Sequence, residues 1–183
     1  MSRVFIGGSR RISRLNSQIS RRLEELIESG TQVLVGDANG ADKAVQRYLA
    51  TRGYRNVEVF YTAGECRNNL GLWESRPIPS TSGYKNLDHF AAKDRQMALE
   101  ADDGLMIWDA KSVGTILNVS RLASARKNVT VFRVPDRQVI QVESKADLAK
   151  LLDSIPKPAR RRVEDQLASE GLRSAAELQP ALL

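Results

Sequence analysis

The residues with chemistry to offer gather at three places. Each is a run of small and polar side chains directly after an apolar run. Gly36-Asp37-Ala38-Asn39-Gly40-Ala41-Asp42 follows Val33-Leu34-Val35 and leads into a helical pattern. Gly7-Gly8-Ser9-Arg10 follows Val4-Phe5-Ile6, and Asp109-Ala110-Lys111-Ser112-Val113-Gly114-Thr115 ends an apolar run closed by Trp108. A turn between a strand and a helix collects unpaired backbone N–H groups and the positive end of a helix dipole at one point, which suits a phosphate. Gly36 and Gly40 let the backbone turn tightly and approach a ligand. Ser9 can cap a helix or bind a phosphate oxygen, and Arg10 can pair with a phosphate as a two-pronged fork. Turn chemistry alone also selects Gly, Asp and Asn, so a purely conformational reading stands beside the phosphate one.

Other chemistries are constrained by composition. The single cysteine, Cys66, excludes an intrachain disulfide and a cysteine-cluster metal site. The single histidine, His89, makes a multi-histidine metal site or a Ser–His triad hard to build and reads as a helix-face residue. No metal and no cofactor is expected. The net charge of +6 could attract nucleic acid, but the bases are scattered among acids. The denser groups are Arg10, Arg11 and Arg14, and Arg160-Arg161-Arg162. Aromatics make up only 5%, too few for a stacking run, so nucleic acid is not expected as a partner. No apolar run approaches the roughly 20 residues that cross a bilayer, and Met1-Ser2-Arg3-Val4-Phe5-Ile6 enters a strand with no signal-peptide pattern. The expectation is a cytoplasmic protein with no membrane partner.

The chain's 183 residues suit one domain with a full core, and the elements that must hold the three turns are legible in it. Strands are expected over 3–6, 32–35, 56–61, 104–108 and 129–134, with a further short one over 138–142. Leu15, Ile19, Leu23, Leu26 and Ile27 recur at helical spacing, so 15–29 reads as a helix closed by Gly30. Further helices are expected from Asn39 to near Gly53, over 88–101, over 115–125, and from the Ser144 cap to Leu152. Right-handed crossovers then give an α/β, Rossmann-like, doubly wound and mainly parallel sheet of five to six strands. All three turns fall at one sheet edge. Residues 1–155 form this domain; 156–183 read as a short helical C-terminal extension, with helices over 159–168 and 174–178.

Two stretches stand apart. Residues 62–87 break the rhythm and read as a long loop, carrying Glu65-Cys66-Arg67-Asn68-Asn69 and Trp73; a mobile lid and a dimer contact both fit it. Asp94 lies on the same helix side as Phe90 and Met97. A carboxylate there is either paired or aimed into a pocket, because an unpaired buried charge is costly.

Gly7-Gly8-Ser9-Arg10, the 36–42 turn, Arg67-Asn68-Asn69 and the 109–115 turn, in that order after four strands, resemble the SLOG superfamily. That Rossmann-like group includes YspA-like proteins, the Lonely-guy phosphoribohydrolases and the DNA-processing proteins; the YspA-like branch is the nearest in appearance. The resemblance covers residues 3–134 and implies binding of a nucleotide or nucleotide-derived ligand, often in a dimer. Relatives that cleave the N-glycosidic bond of nucleoside monophosphates place a glutamate just after a glycine-threonine turn. Here Ile116, Leu117, Asn118 and Val119 follow Gly114-Thr115. Asp94 is the best replacement carboxylate, on the helix where related deoxynucleotide N-hydrolases carry an aspartate; Asp37 and Asp109 also sit at the ligand edge.

Two functions follow. In a binding or sensing module, Gly7, Gly8, Gly36, Gly40, Gly114 and Thr115 form the phosphate and ribose cradle. Ser9, Arg10, Lys111 and Ser112 contact the phosphate, and Asn39, Asp42, Arg67 and Asn68 hold sugar, base or loop. In the alternative, an N-glycoside hydrolase of nucleoside 5'-monophosphates, Asp94 is nucleophile or base. A domain used mainly for assembly is the plain reading, and DNA binding the weakest. Valine at Gly40 is expected to abolish binding in a folded protein.

Overall fold

The structure is a computed structural model that describes residues 2–62, 64–80 and 87–172, without the side chains of 87–89. The side chain of His89 and the 174–178 helix therefore lie outside the described residues. The elements run β1 (Arg3–Gly8), α1 (Ser17–Glu28), β2 (Gln32–Gly36), α2 (Ala41–Thr51), β3 (Val57–Thr62), β4 (Glu74–Ile78), α3 (Leu87–Glu100), β5 (Asp103–Trp108), α4 (Val113–Ser124), β6 (Val129–Arg133), β7 (Gln138–Val142), α5 (Lys145–Asp153) and α6 (Lys157–Ser169).

Strand alternation builds a core on each face of the sheet. Val4 and Ile6 of β1 point to one side with Val33, Val35, Leu105 and Ile107, where α1 and α2 cover them through Ile19, Leu23, Val45 and Leu49. Phe5 points to the other with Leu34, Phe60 and Met106, under Met97 of α3 and Ile116 and Val119 of α4. Both faces being covered explains why these strands are apolar throughout. Asn16 caps α1 by accepting from the Ile19 N–H at 3.0 Å. Ser144 and Asp147 form a capping box at α5.

The sheet order is β4-β3-β2-β1-β5-β6-β7, parallel except for the last pair. It is a Rossmann-like α/β sheet of seven strands. The added strand is β4, inside the stretch read as a loop. Pro77 and the charged Glu74 and Arg76 obscure it in the sequence, but an edge strand tolerates a proline on its unpaired side. Arg76 lies 4.3 Å over the Phe60 ring and pairs with Glu58 and Glu100, so its charge is satisfied beside the sheet.

The C-terminal extension packs on the domain as far as it is described. Pro156 and Pro158 open α6, where a first-turn proline forfeits no helical bond. Val163 and Leu167 of α6 are buried in the core beside α4. Among the described residues, no helix is long and apolar enough to cross a membrane.

Candidate functional site

The strand order fixes where a ligand can enter. From β1 the chain runs outward through β2, β3 and β4, then returns to β5 on β1's other side. The crevice beyond the carboxyl ends of β1 and β5 is the topological switch point of the sheet. A cavity of about 550 Å³ opens there, within the range that holds a small-molecule ligand.

Three turns are expected at this edge, and two of them supply most of the turn residues on the cavity wall. The first contributes Gly7, Gly8, Ser9, Arg10 and Arg11; the second contributes Asp109, Lys111, Ser112, Gly114 and Thr115. Ser9 is the junction. Its N–H donates to the Ile107 carbonyl at 2.9 Å, and its carbonyl accepts from Ala41 N–H at 3.0 Å. Asp109 Oδ1 accepts from the Lys111 and Ser112 N–H groups at 3.0 and 2.7 Å, which shapes the second turn. Burial works to raise the Asp109 carboxyl, but those N–H groups and the Ser9 hydroxyl hold it below the usual carboxylate range. Ser112 caps α4, leaving the first-turn N–H groups of Val113 and Gly114 without a helical acceptor. Thr115, one residue on, is only 2% exposed, and its Oγ1 has no partner among the described residues.

The third turn contributes only Ala38 and Asp42 to the lining. Gly36, Asp37, Asn39 and Gly40, with Arg67 and Asn68, stand behind the wall and bond to the protein itself. Arg67 grips Asp37 with Nε–Oδ2 at 2.8 Å and Nη2–Oδ1 at 2.6 Å. Burial works against the Asp37 charge, and Arg67 outweighs it, so the carboxyl sits below its ordinary value. Asn68 Nδ2 donates to the Asp37 carbonyl at 2.7 Å and to Asn39 Oδ1 at 3.1 Å. These bonds weld the β2–α2 turn to the β3–β4 connection. The two glycines are close-approach points within the protein. A Cβ on Gly36 would lie 2.4 Å from Asp42 Oδ2 and 2.5 Å from Lys93 Nζ. On Gly40, which has φ +87°, it would lie 2.4 Å from the Arg10 backbone.

Asp94 lines the cavity inside a chain of buried charges that the sequence reading largely missed. Lys93 Nζ donates to Asp94 Oδ1 at 2.6 Å and lies 3.8 Å from Asp42 Oδ2. Asn118 Nδ2 donates to Asp94 Oδ2 at 3.0 Å, and Asn118 Oδ1 accepts from Arg121 at 2.6 Å. Arg121 in turn grips Glu170 at 2.9 and 2.6 Å. Burial works to neutralise Asp94, but Lys93 and Asn118 outweigh it and hold the carboxyl below its usual range. At Asp42 burial dominates the attraction of Lys93, and the pKa is pushed up to about 6. Lys93 is held above its ordinary value because the two carboxylates outweigh its burial.

Lys93, Phe90, Asn118, Arg121, Arg162 and Gln166 also line the cavity. Helical spacing from Asp94 places Phe90 on its face, and Lys93 is its sequence neighbour. Asn118 lies one turn beyond Gly114. Nothing in the sequence places Arg162 and Gln166, because they arrive with α6. Among the described residues no group of His, Cys, Asp or Glu side chains is placed to hold a metal ion.

No protein-family model and no curated protein matches the chain. A solved structure of DNA processing protein A from Helicobacter pylori is similar, at a TM-score of 0.53 and 15% identity, covering 92% of this chain and 81% of that one. The likeness is one of fold, to a member of the DNA-processing proteins within the group that the motifs resemble. That protein binds single-stranded DNA. The expectation that nucleic acid is not a partner is therefore corrected: a chain of similar fold has such a partner. The physical fault lies in judging charge by its scatter along the chain. Arg10 and Arg11, Lys111 and Arg162 are far apart in sequence, and folding brings all four to one cavity.

Proposed function

We propose that this chain is a nucleotide-binding module, and that its ligand lies in the β1/β5 cavity with a phosphate at the N-terminus of α4. One observation carries the reading. The buried Thr115 hydroxyl, without a partner among the described residues, sits in the first turn of that helix, on the wall of a cavity also lined by Arg10 and Lys111. A buried hydroxyl without a partner is costly, and a phosphate oxygen would satisfy it. In this reading Gly7, Gly8, Ser9, Arg10, Asp42, Asp109, Lys111, Ser112, Gly114 and Thr115 face the ligand. Gly36, Asp37, Asn39, Gly40, Arg67 and Asn68 instead hold the scaffold behind it. The order of the motifs along the sheet edge supports membership of the SLOG superfamily, on its YspA-like side.

A second reading, N-glycoside cleavage of nucleoside monophosphates, is favoured by Asp94. An ionised carboxylate on the cavity wall can stabilise the positive charge that develops on a sugar as its base departs. Asn118 brings that carboxylate against α4, one turn beyond Gly114-Thr115.

Mass spectrometry of small molecules released from the purified, denatured protein tests the first reading. A released nucleotide supports it, and incubation with nucleoside monophosphates then looks for free base. Intact nucleotide with no base favours the binding module. Free base that disappears with Asp94→Asn favours the hydrolase. Absence of any nucleotide, together with no binding of added nucleotides, contradicts both.

A further inference from the structure

We propose that the ligand carries at least two phosphoryl groups, and that Arg162 of α6 selects for the second. The inference rests on the reading of the cavity as a nucleotide site, and it deepens that reading by naming the ligand's charge class.

The cavity is electrically divided. Its deep part holds Asp42, Lys93, Asp94 and Arg121, each bonded to or paired with another buried group. The remaining basic side chains on its wall are Arg10, Arg11, Lys111 and Arg162. Among the described residues none of these four has a carboxylate within ion-pair distance. Arg10 lies 5.2 Å from the Phe90 ring centre, a contact that orients the guanidinium without neutralising it. Among the described residues Asp109 is the remaining carboxylate on the cavity wall, and its Oδ1 accepts from both the Lys111 and the Ser112 N–H groups. Four cations against one carboxylate leave three positive charges around one opening.

A single phosphate group carries a charge of about −1.5 to −2 at neutral pH. It leaves about one of the three charges uncompensated. Its three free oxygens also accept fewer hydrogen bonds than three guanidinium forks, an ammonium, the Thr115 hydroxyl and the first-turn N–H groups of α4 can donate. A second phosphoryl group supplies both the missing charge and the missing acceptors. The donors divide accordingly. The α4 N-terminus with Thr115 belongs to the sheet edge. Arg162 comes from a helix outside the β-α alternation, held on the domain by Val163 and Leu167. Arg162 is thus the cation that this chain adds to the edge of its sheet.

Isothermal titration of the full chain tests this with the 5'-mono- and 5'-diphosphates of adenosine, guanosine, cytidine and uridine. The pair sharing the tightest-binding base decides. We expect the diphosphate to bind at least about tenfold more tightly than its monophosphate, as one added charge-assisted contact would give. In Arg162→Ala that ratio falls towards one, while the thermal melt stays cooperative. Arg162→Lys recovers part of the ratio. A monophosphate that binds as tightly as its diphosphate overturns the proposal and leaves the nucleotide reading standing. So does an Arg162→Ala chain that keeps the ratio. If a single-stranded oligonucleotide binds while no free nucleotide does, both readings fall.

Discussion

Asn118 joins α4 to α3 by donating from Nδ2 to Asp94 Oδ2 at 3.0 Å, while Lys93 holds the other oxygen at 2.6 Å. Both carboxylate oxygens are thus engaged, and Asp94 faces the cavity as an ionised group of fixed orientation. An anion so held stabilises positive charge or accepts a proton; it does not donate one.

Asp94→Asn removes the main partner of a buried ammonium. Breaking a buried pair by removing one member costs about 3–5 kcal/mol. Asp42 stays 3.8 Å from Lys93, so the lower end is expected. Chemical denaturation at neutral pH checks the loss. The Asp94 charge also helps raise Asp42, so the variant lowers the Asp42 pKa, which carboxyl titration by NMR would register.

Asp42 makes stability depend on pH in the unusual direction. Its folded pKa of about 6 lies above its ordinary value, so the folded state binds the proton more tightly than the unfolded state. Its contribution is present below the unfolded pKa near 4 and is lost as pH rises to about 6, by roughly 3 kcal/mol. Asp42→Asn should flatten that part of a stability profile from pH 4 to 8. An unchanged slope assigns it to other groups.

Arg67 keeps Asp37 charged. Asp37 is 2% exposed, and its depressed pKa gives stability that is present above the ordinary carboxylate range and fades as pH falls. Arg67 is itself partly exposed, which discounts the pair. Arg67→Ala is expected to cost about 1–2 kcal/mol at pH 7 and less at pH 3, by urea unfolding at both values.

Glu170 ends the chain of charges that begins at Asp42. It is the carboxylate against the buried Arg121, and it stands just past the end of α6. Glu170→Gln should destabilise the protein by about 3 kcal/mol and loosen α6. Limited proteolysis would then cut within 157–169 sooner than in the parent chain. Equal cleavage rates would show that Val163 and Leu167 suffice to hold the helix.

The apolar runs made β1, β2, β5 and α1 legible, because both faces of the sheet are covered and periodicity is strong there. The edge strand β4 was not, since Pro77 and its charged neighbours are tolerated only through pairing with β3. At the site, Ser9, Asp109 and Ser112 could be read as turn chemistry. The burial of Lys93 between Asp94 and Asp42 could not, because Asp42 lies far away along the chain. Gly40 shows the limit most clearly. A valine there was expected to block a ligand in an intact fold, yet its Cβ would meet the Arg10 backbone at a left-handed φ. That substitution breaks the junction of two turns, so loss of binding would not single out the ligand.

Thr115→Val tests the central claim most directly. In the unliganded protein it removes a buried hydroxyl that has no partner among the described residues, so the melting temperature should hold or rise. Nucleotide affinity, measured by calorimetry on the same sample, should fall about tenfold. An affinity equal to that of the parent chain would contradict the placement of a phosphate at the N-terminus of α4.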